Sequence, residues 1–276
     1  MLPVKMLAID LDGTFLSSQT QLISENVASL ELAQKAGVET LICTGRTYPG
    51  VERFIQGMPN LKKEGYLILH NGALTLAYPS LEVVKRHIIS PTIRQAILAF
   101  FHQQDVKLTQ LIGLNDETIF LTGSQLPNPH IVADAATLAM PVIPVTDEAF
   151  SAVEDLTKVL LMGPKEELDR VQAQIPNELK EQCSMVRSKD VIIEFFALGV
   201  NKGQAVADLA DYLHIPAEQV MTIGDQLNDI EMLQYAGYSV AMGNAQPMVK
   251  AAAKYVTGTN DQAGVSQAIN KHILEK

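Results

Sequence analysis

The stretch MLAIDLDGTFL, residues 6–16, decides how the rest of the chain is read. An apolar, β-rich run ends on Asp10-Leu11-Asp12-Gly13-Thr14, so two carboxylates stand where a buried strand stops. Working outward, the same event recurs. VETLIC (38–43) stops on Thr44-Gly45-Arg46, and VMTI (220–223) stops on Gly224-Asp225, with Asn228-Asp229 just beyond. YLIL (66–69) reads as a further strand. Helical segments separate these runs. SENVASLELAQKAG (24–37) carries Ser24 as the expected N-cap, a stripe of Val27, Leu30 and Ala33, and Gly37 as terminator. Later helices are expected from about Asn201 to Leu213 and from about Asn228 to Ala236, the second leading into the strand YSVAM (238–242). Strands alternating with helices imply right-handed crossovers and a mostly parallel sheet, an α/β, Rossmann-like three-layer core.

The middle of the chain has another grammar. ALTLAY and EVVKRHII suggest a hairpin around Pro79, and Ser90-Pro91 is a capped helix start with proline at the first position, carrying Ile93, Ile97 and Phe100. Several short apolar runs and a Pro-rich stretch around 127–144 follow, an α+β pattern. The expected organisation is a core formed by 1–82 and 195–276, split by an inserted α+β domain over 83–194.

Composition narrows the classes. Hydrophobic residues make up 47% and charged residues 19%, which suits a globular chain with a sizeable core. A net charge of −10 argues against a nucleic acid polymer as partner. The cysteines, Cys43 and Cys183, form no CxxC pair and point to neither a disulfide framework nor a zinc site. Lys5 and Asp10 interrupt the first apolar stretch too early for a signal peptide, and no run approaches the roughly 18 apolar residues of a membrane span, so the expected setting is cytoplasmic.

In an open parallel sheet, ligands bind outside the carboxyl ends of the strands, where all three polar clusters fall. In extended backbone, positions i and i+2 face one way, which would let Asp10 and Asp12 address one substrate atom. Asp225 adds a third acid. Two such charges about 4 Å apart cost roughly 4 kcal/mol at an effective dielectric near 20, a penalty that a hard divalent cation such as Mg²⁺ relieves. The Thr44 hydroxyl and the Gly45 amide suit phosphate oxygens, and Lys202, opening a helix in NKGQ, supplies positive charge. The chemistry that fits is phosphoryl transfer: one carboxylate attacks phosphorus, and the other protonates the leaving oxygen and then activates water.

DLDGT, TGR, NKG and GDQLNDIEM, in that order, resemble the four motifs of the haloacid dehalogenase (HAD) superfamily, and HNGA (70–73) and MGNA (242–245) resemble its Cof-type phosphatase branch. The resemblance spans about Met6 to Val265 and implies a large α/β cap between the second and third motifs, closing over the site. It implies Asp10 as nucleophile and Asp12 as acid/base. It implies Mg²⁺ held by Asp10, Asp12 and Asp225 with Asp229 supporting, and phosphate bound by the Leu11 amide, Thr44, Gly45, Lys202 and Asn228. Arg46 and Asn71 would line the substrate pocket. The expected partner is a small phosphate ester, and the expected activity is a phosphatase. A sugar phosphomutase or phosphotransferase using the same aspartate, and a phospho-acceptor regulator, are the alternatives. Where relatives often have Asp-Gly-Val, this chain has Ala263-Gly264-Val265.

Overall fold

The computed structural model describes residues 3–58, 65–123 and 126–275. By internal contacts the chain divides into two units, one of Met1–Gly45, Val51–Lys85 and Asn201–Lys276, the other of Arg46–Gly50 and Arg86–Val200.

The first unit starts with β1 (Met6–Ile9), β2 (Glu39–Cys43), β3 (Gly65–Leu69), β4 (Leu74–Tyr78) and β5 (Val83–Arg86). The second unit supplies β6 (Gln110–Leu114), β7 (Ile119–Thr122), β8 (Val142–Val145), β9 (Lys158–Met162), β10 (Cys183–Lys189) and β11 (Ile192–Ala197). The chain then returns to the first for β12 (Val220–Gly224), β13 (Tyr238–Ala241) and β14 (Tyr255–Val256). The core sheet runs β14-β13-β12-β1-β2-β3-β4-β5. The pairings from β14 to β3 are parallel, and β4 turns back antiparallel on β3.

Every residue of β1 is buried because both faces of the sheet are covered, which is why MLAI reads as a continuous apolar run and does not alternate. Met6 and Ala8 share one cluster with Leu41, Cys43, Ile68 and the helix residues Val206 and Leu209. Strand register places Ile9 opposite Ile223 on one side and Ile42 on the other. The carboxyl ends of β12, β1 and β2 are therefore neighbours, and the chain segments leaving them emerge at one edge.

Local signals mostly set the helix limits. The helix Ser24–Lys35 stops before Gly37, whose φ of +81° is the left-handed conformation glycine tolerates. Ser24 departs from its expected role. Ile23 is the N-cap, and the Ser24 hydroxyl, already inside the helix, donates to the Glu25 carboxylate at 2.8 Å. Asn201 caps the helix Lys202–Tyr212 by accepting from the Gln204 amide at 2.8 Å.

The second unit has a six-stranded sheet ordered β10-β11-β9-β6-β7-β8. One face packs Leu111, Val159, Leu161 and Phe195 against Ile97, Phe100 and Val171. The other packs Ile112, Leu160 and Ile192 against Ile131 and Leu138. Ser90 caps the helix Pro91–His102 as its sequence signature requires, accepting from the Ile93 amide at 3.3 Å. Among the described residues no helix is long and apolar enough to cross a membrane.

Candidate active site

The extended run stops at Asp10 (φ −67°, ψ 157°). Leu11–Phe15 then wind into a wide turn, closed by Phe15 N–H to the Asp10 carbonyl at 3.2 Å and Leu16 N–H to the Leu11 carbonyl at 2.9 Å. The two-residue alternation expected to align Asp10 and Asp12 needs extended backbone and does not apply across this turn. Asp10 is buried and Asp12 exposed. Gly13 permits the turn. Its φ is +78°, and an added Cβ would lie 2.5 Å from Asp225 Oδ2.

Asp10, Asp225 and Asp229 converge, with one carboxylate oxygen of each lying within 4.8 Å of the others. Lys202, nearly fully buried, joins two of them: Nζ lies 2.5 Å from Asp10 Oδ1 and 2.7 Å from Asp229 Oδ1. Asp229 Oδ2 accepts the Asp225 and Gln226 amides, each at 2.9 Å. Asp229 is thus engaged through both oxygens. Asp225 accepts from Thr14 Oγ1 at 2.8 Å on Oδ1 and from Gln226 Nε2 at 2.9 Å on Oδ2.

Charge bookkeeping in this cluster leaves a deficit of cation. Burial pushes the Asp10 carboxyl well above its ordinary pKa, Lys202 opposes the rise, and Asp229 and Asp225 add to it. Burial pushes Asp225 up to about 6. Burial alone would lower the Lys202 ammonium, but attraction to Asp10 and Asp229 outweighs it and holds that pKa above the ordinary lysine value. One ammonium does not neutralise three acids. Asp10 and Asp225, the two whose pKa values rise, form a hard-oxygen donor pair suited to a divalent cation.

Thr44 and Gly45 follow β2, and the Thr44 amide continues the ladder to the Ile68 carbonyl at 2.8 Å. His70 and Asn71 follow β3 with φ near +53° and +55°, and Gly72 continues at +102°. This left-handed run brings the Asn71 amide 3.0 Å from the Thr44 carbonyl and its side chain against Gly45, where a Cβ would meet Asn71 Oδ1 at 3.0 Å. Asn71 Oδ1 accepts from Asn228 Nδ2 at 2.9 Å, so HNGA and the fourth motif meet through two amides beside Gly45 of the second. Arg46 is nine-tenths buried, donates from Nη1 to the Gly50 carbonyl at 3.1 Å and groups by contacts with the second unit. Leu11 is buried beneath the turn.

Sequence reading passed over Thr14, Gln226 and Asn244 as contributors here. Thr14 and Gln226 lie inside the quoted motifs, and their signal was adjacency to the acids. Asn244 lies in MGNA, where its side chain donates from Nδ2 to the Gly13 carbonyl at 2.8 Å and to Asp225 Oδ2 at 3.3 Å. Cys43, directly before Thr44, is fully buried and its thiol is pushed well up by burial, which makes it packing and not a nucleophile.

This geometry matches known proteins over the whole chain. The family model for haloacid dehalogenase-like hydrolases covers residues 7–269. YxeH of Bacillus subtilis is 32% identical over 279 residues, with 99% of each chain covered. The 5-amino-6-(5-phospho-D-ribitylamino)uracil phosphatase YcsE of Bacillus subtilis is 30% identical, covering 98% of this chain and 96% of its own. The solved structure of the HAD subclass IIB sugar phosphatase BT4131 superposes with a TM-score of 0.79 at 28% identity, covering 97% of this chain and 98% of that one. The chain belongs to the haloacid dehalogenase-like hydrolases and is an enzyme of their Cof-type phosphatase branch.

Proposed function

We propose that the enzyme hydrolyses small phosphate monoesters, sugar phosphates or similar metabolites, with Mg²⁺ as cofactor and an aspartyl-phosphate on Asp10 as intermediate. The observation that carries this reading is Lys202 Nζ, 2.5 Å from Asp10 and 2.7 Å from Asp229 inside a cluster of three buried carboxylates. An ammonium held there offsets the repulsion between an anionic nucleophile and an anionic ester.

In the first half-reaction Asp10 Oδ attacks phosphorus and the ester P–O bond breaks. Asp12, exposed at the turn, gives its proton to the departing alkoxide. In the second, Asp12 takes a proton from water, whose oxygen attacks phosphorus. Phosphate leaves and the Asp10 carboxylate is restored. The Leu11 amide, Thr44, Gly45, Lys202 and Asn228 bind the phosphoryl oxygens, and Arg46 and Asn71 address the organic part of the substrate. Asp10 and Asp225 would hold Mg²⁺, with Asp12 completing the protein donors. Asp229 would support the site by fixing Lys202 and the Asp225 loop, since one of its oxygens already holds the ammonium and the other takes two backbone amides. When bound, the ion would supply charge neutralisation at the transferring phosphoryl group.

Relatives of comparable identity are named for a phosphoribitylamino-uracil and for sugar phosphates, which supports a small phosphorylated metabolite without choosing between them. A cytoplasmic setting belongs to the same reading, consistent with two buried, unpaired cysteines. The test is phosphate release from a panel of small phosphate esters with Mg²⁺, with chelator and with Asp10→Asn. Release that requires both metal and Asp10 is the expected result. Release by Asp10→Asn at the wild-type rate, or release indifferent to chelator, would overturn the proposal.

A further inference from the structure

The MGNA motif takes no part in the chemistry above, yet its asparagine touches two parts of the site. Asn244 Nδ2 donates to the Gly13 carbonyl at 2.8 Å and to Asp225 Oδ2 at 3.3 Å. Its Oδ1 accepts the Asn260 amide at 2.9 Å, so the backbone fixes the orientation of the side chain. Asn260 in turn donates from Nδ2 to the Leu16 carbonyl at 3.0 Å, at the far end of the turn that begins after Asp10. Gly13 and Asp225 are already at closest approach, since no Cβ fits between them.

We propose that Asn244 is a positioning residue: together with Thr14 its amide clamps the Asp10 turn to Asp225, and by fixing Asp225 Oδ2 it sets the geometry in which those two carboxylates take up Mg²⁺. Three features support this. The donors on Asp225 Oδ2, Asn244 and Gln226, are both neutral amides, so they orient the carboxylate without competing with a cation by charge. The two hydrogens of Nδ2 serve different loops, one leaving β1 and the other leaving β12, so losing the amide leaves Thr14 Oγ1 on Asp225 Oδ1 as the tie between them and frees the Oδ2 side. Asn244 is exposed, so its removal leaves no cavity and the fold survives substitution. The inference rests on the metal-dependent reading given above.

The experiment is Mg²⁺ titration of the metal-free enzyme by calorimetry, alongside the Mg²⁺ activation curve, for wild type, Asn244→Ala and Asn244→Ser. Asn244→Ala is expected to weaken Mg²⁺ binding roughly tenfold, as loss of an outer partner of a metal ligand typically does. Its kcat should return to within a few-fold of wild type once Mg²⁺ saturates. Asn244→Ser, which keeps one short donor, should fall between the two. A merely structural role would lower the unfolding temperature and leave Mg²⁺ affinity untouched. Wild-type affinity in both variants would overturn the role of Asn244 alone. Absence of Mg²⁺ uptake by the wild-type enzyme would overturn the metal reading and this inference together.

Discussion

Each unit of the molecule buries a lysine against carboxylates, and the two cases differ in where the charge sits. In the first unit Lys202 opens a helix and bridges Asp10 and Asp229 at the carboxyl edge of the sheet. In the second, Lys158 Nζ lies 3.7 Å from Glu194 Oε1 within the sheet, on β9 and β11, and Ser188 donates to the same oxygen at 3.1 Å. Both lysines are about 98% buried or more. The edge cluster carries three acids for one lysine, and two of those acids are pushed up in pKa. The sheet pair sets one lysine beside one carboxylate. An unbalanced cluster at a strand end suits a ligand that brings positive charge, whereas a balanced buried pair adds little net stability over apolar residues of the same volume.

The largest effect that tests this contrast is on Asp10. Asp10→Asn is expected to lower kcat by at least about a thousandfold, with the unfolding temperature unchanged or raised, because a buried charge held against its preference is removed. Activity assays beside thermal melts check both halves. A collapse in stability would place the edge cluster with the structural pair.

Lys158→Ala is the opposite case. It leaves Glu194 buried beside an empty position and is expected to cost about 3–5 kcal/mol of stability in denaturant unfolding. Replacing both partners with apolar residues of similar volume should recover most of that loss. If Lys158→Ala instead abolishes turnover at unchanged stability, the division between the two lysines is broken.

Asp225 sharpens the comparison through pH. Its folded pKa of about 6 lies above the ordinary aspartate value, so the neutral form stabilises the fold at low pH. That contribution is lost as pH rises through about 6, at most about 3 kcal/mol for a shift of this size. The metal-free enzyme should therefore melt at a lower temperature at pH 7 than at pH 5, and Mg²⁺ should stabilise it more at pH 7. Asp225→Asn should flatten that difference and raise the Mg²⁺ needed for activity on the order of tenfold or more. An unchanged pH slope in Asp225→Asn would assign the effect to Asp10.

The smallest expected effect concerns Ala263, where this chain departs from Asp-Gly-Val. Ala263 stands at φ +53°, ψ 40°, a left-handed conformation that costs a residue with a Cβ roughly 1 kcal/mol relative to glycine. Ala263→Gly should raise stability by several tenths to about 1 kcal/mol and leave turnover unchanged. The turn it closes, Asn260–Gln262, carries the amide that orients Asn244, so a change in Mg²⁺ affinity would link that strain to the site.

Much of the first unit was legible because its signals are local. Apolar runs ending on acids or on Thr-Gly mark strand ends, and Gly37 stands where the first helix must stop. Ser24 misled because cap preference names a residue type, whereas the backbone at Ile23 decides where helical dihedrals begin. The paired reading of Asp10 and Asp12 assumed an extended chain that Leu11–Phe15 does not keep. The contact boundary of the second unit, at Arg86 and Val200, lies beyond the expected 83–194 at its far end because β11 continues to Ala197 before the chain turns. Asn244 was visible as a motif but not as a contact, since its partners Gly13 and Asp225 are far from it in sequence or on another strand end.

By itself, the sequence determined the residue types, their order and the parallel alternation of strands and helices, because apolar patterning and strand-end punctuation act over a few residues. Only the tertiary structure decided that β12, β1 and β2 are neighbours, so that Asp10, Asp225 and Asp229 converge and Asp10 and Asp229 share one lysine. It alone decided that Asn244 reaches across to both loops. Those relations depend on strand order and on the conformation of the turn after Asp10, and both are fixed by packing between segments some 200 residues apart, such as Thr14 on Asp225 with a separation of 211.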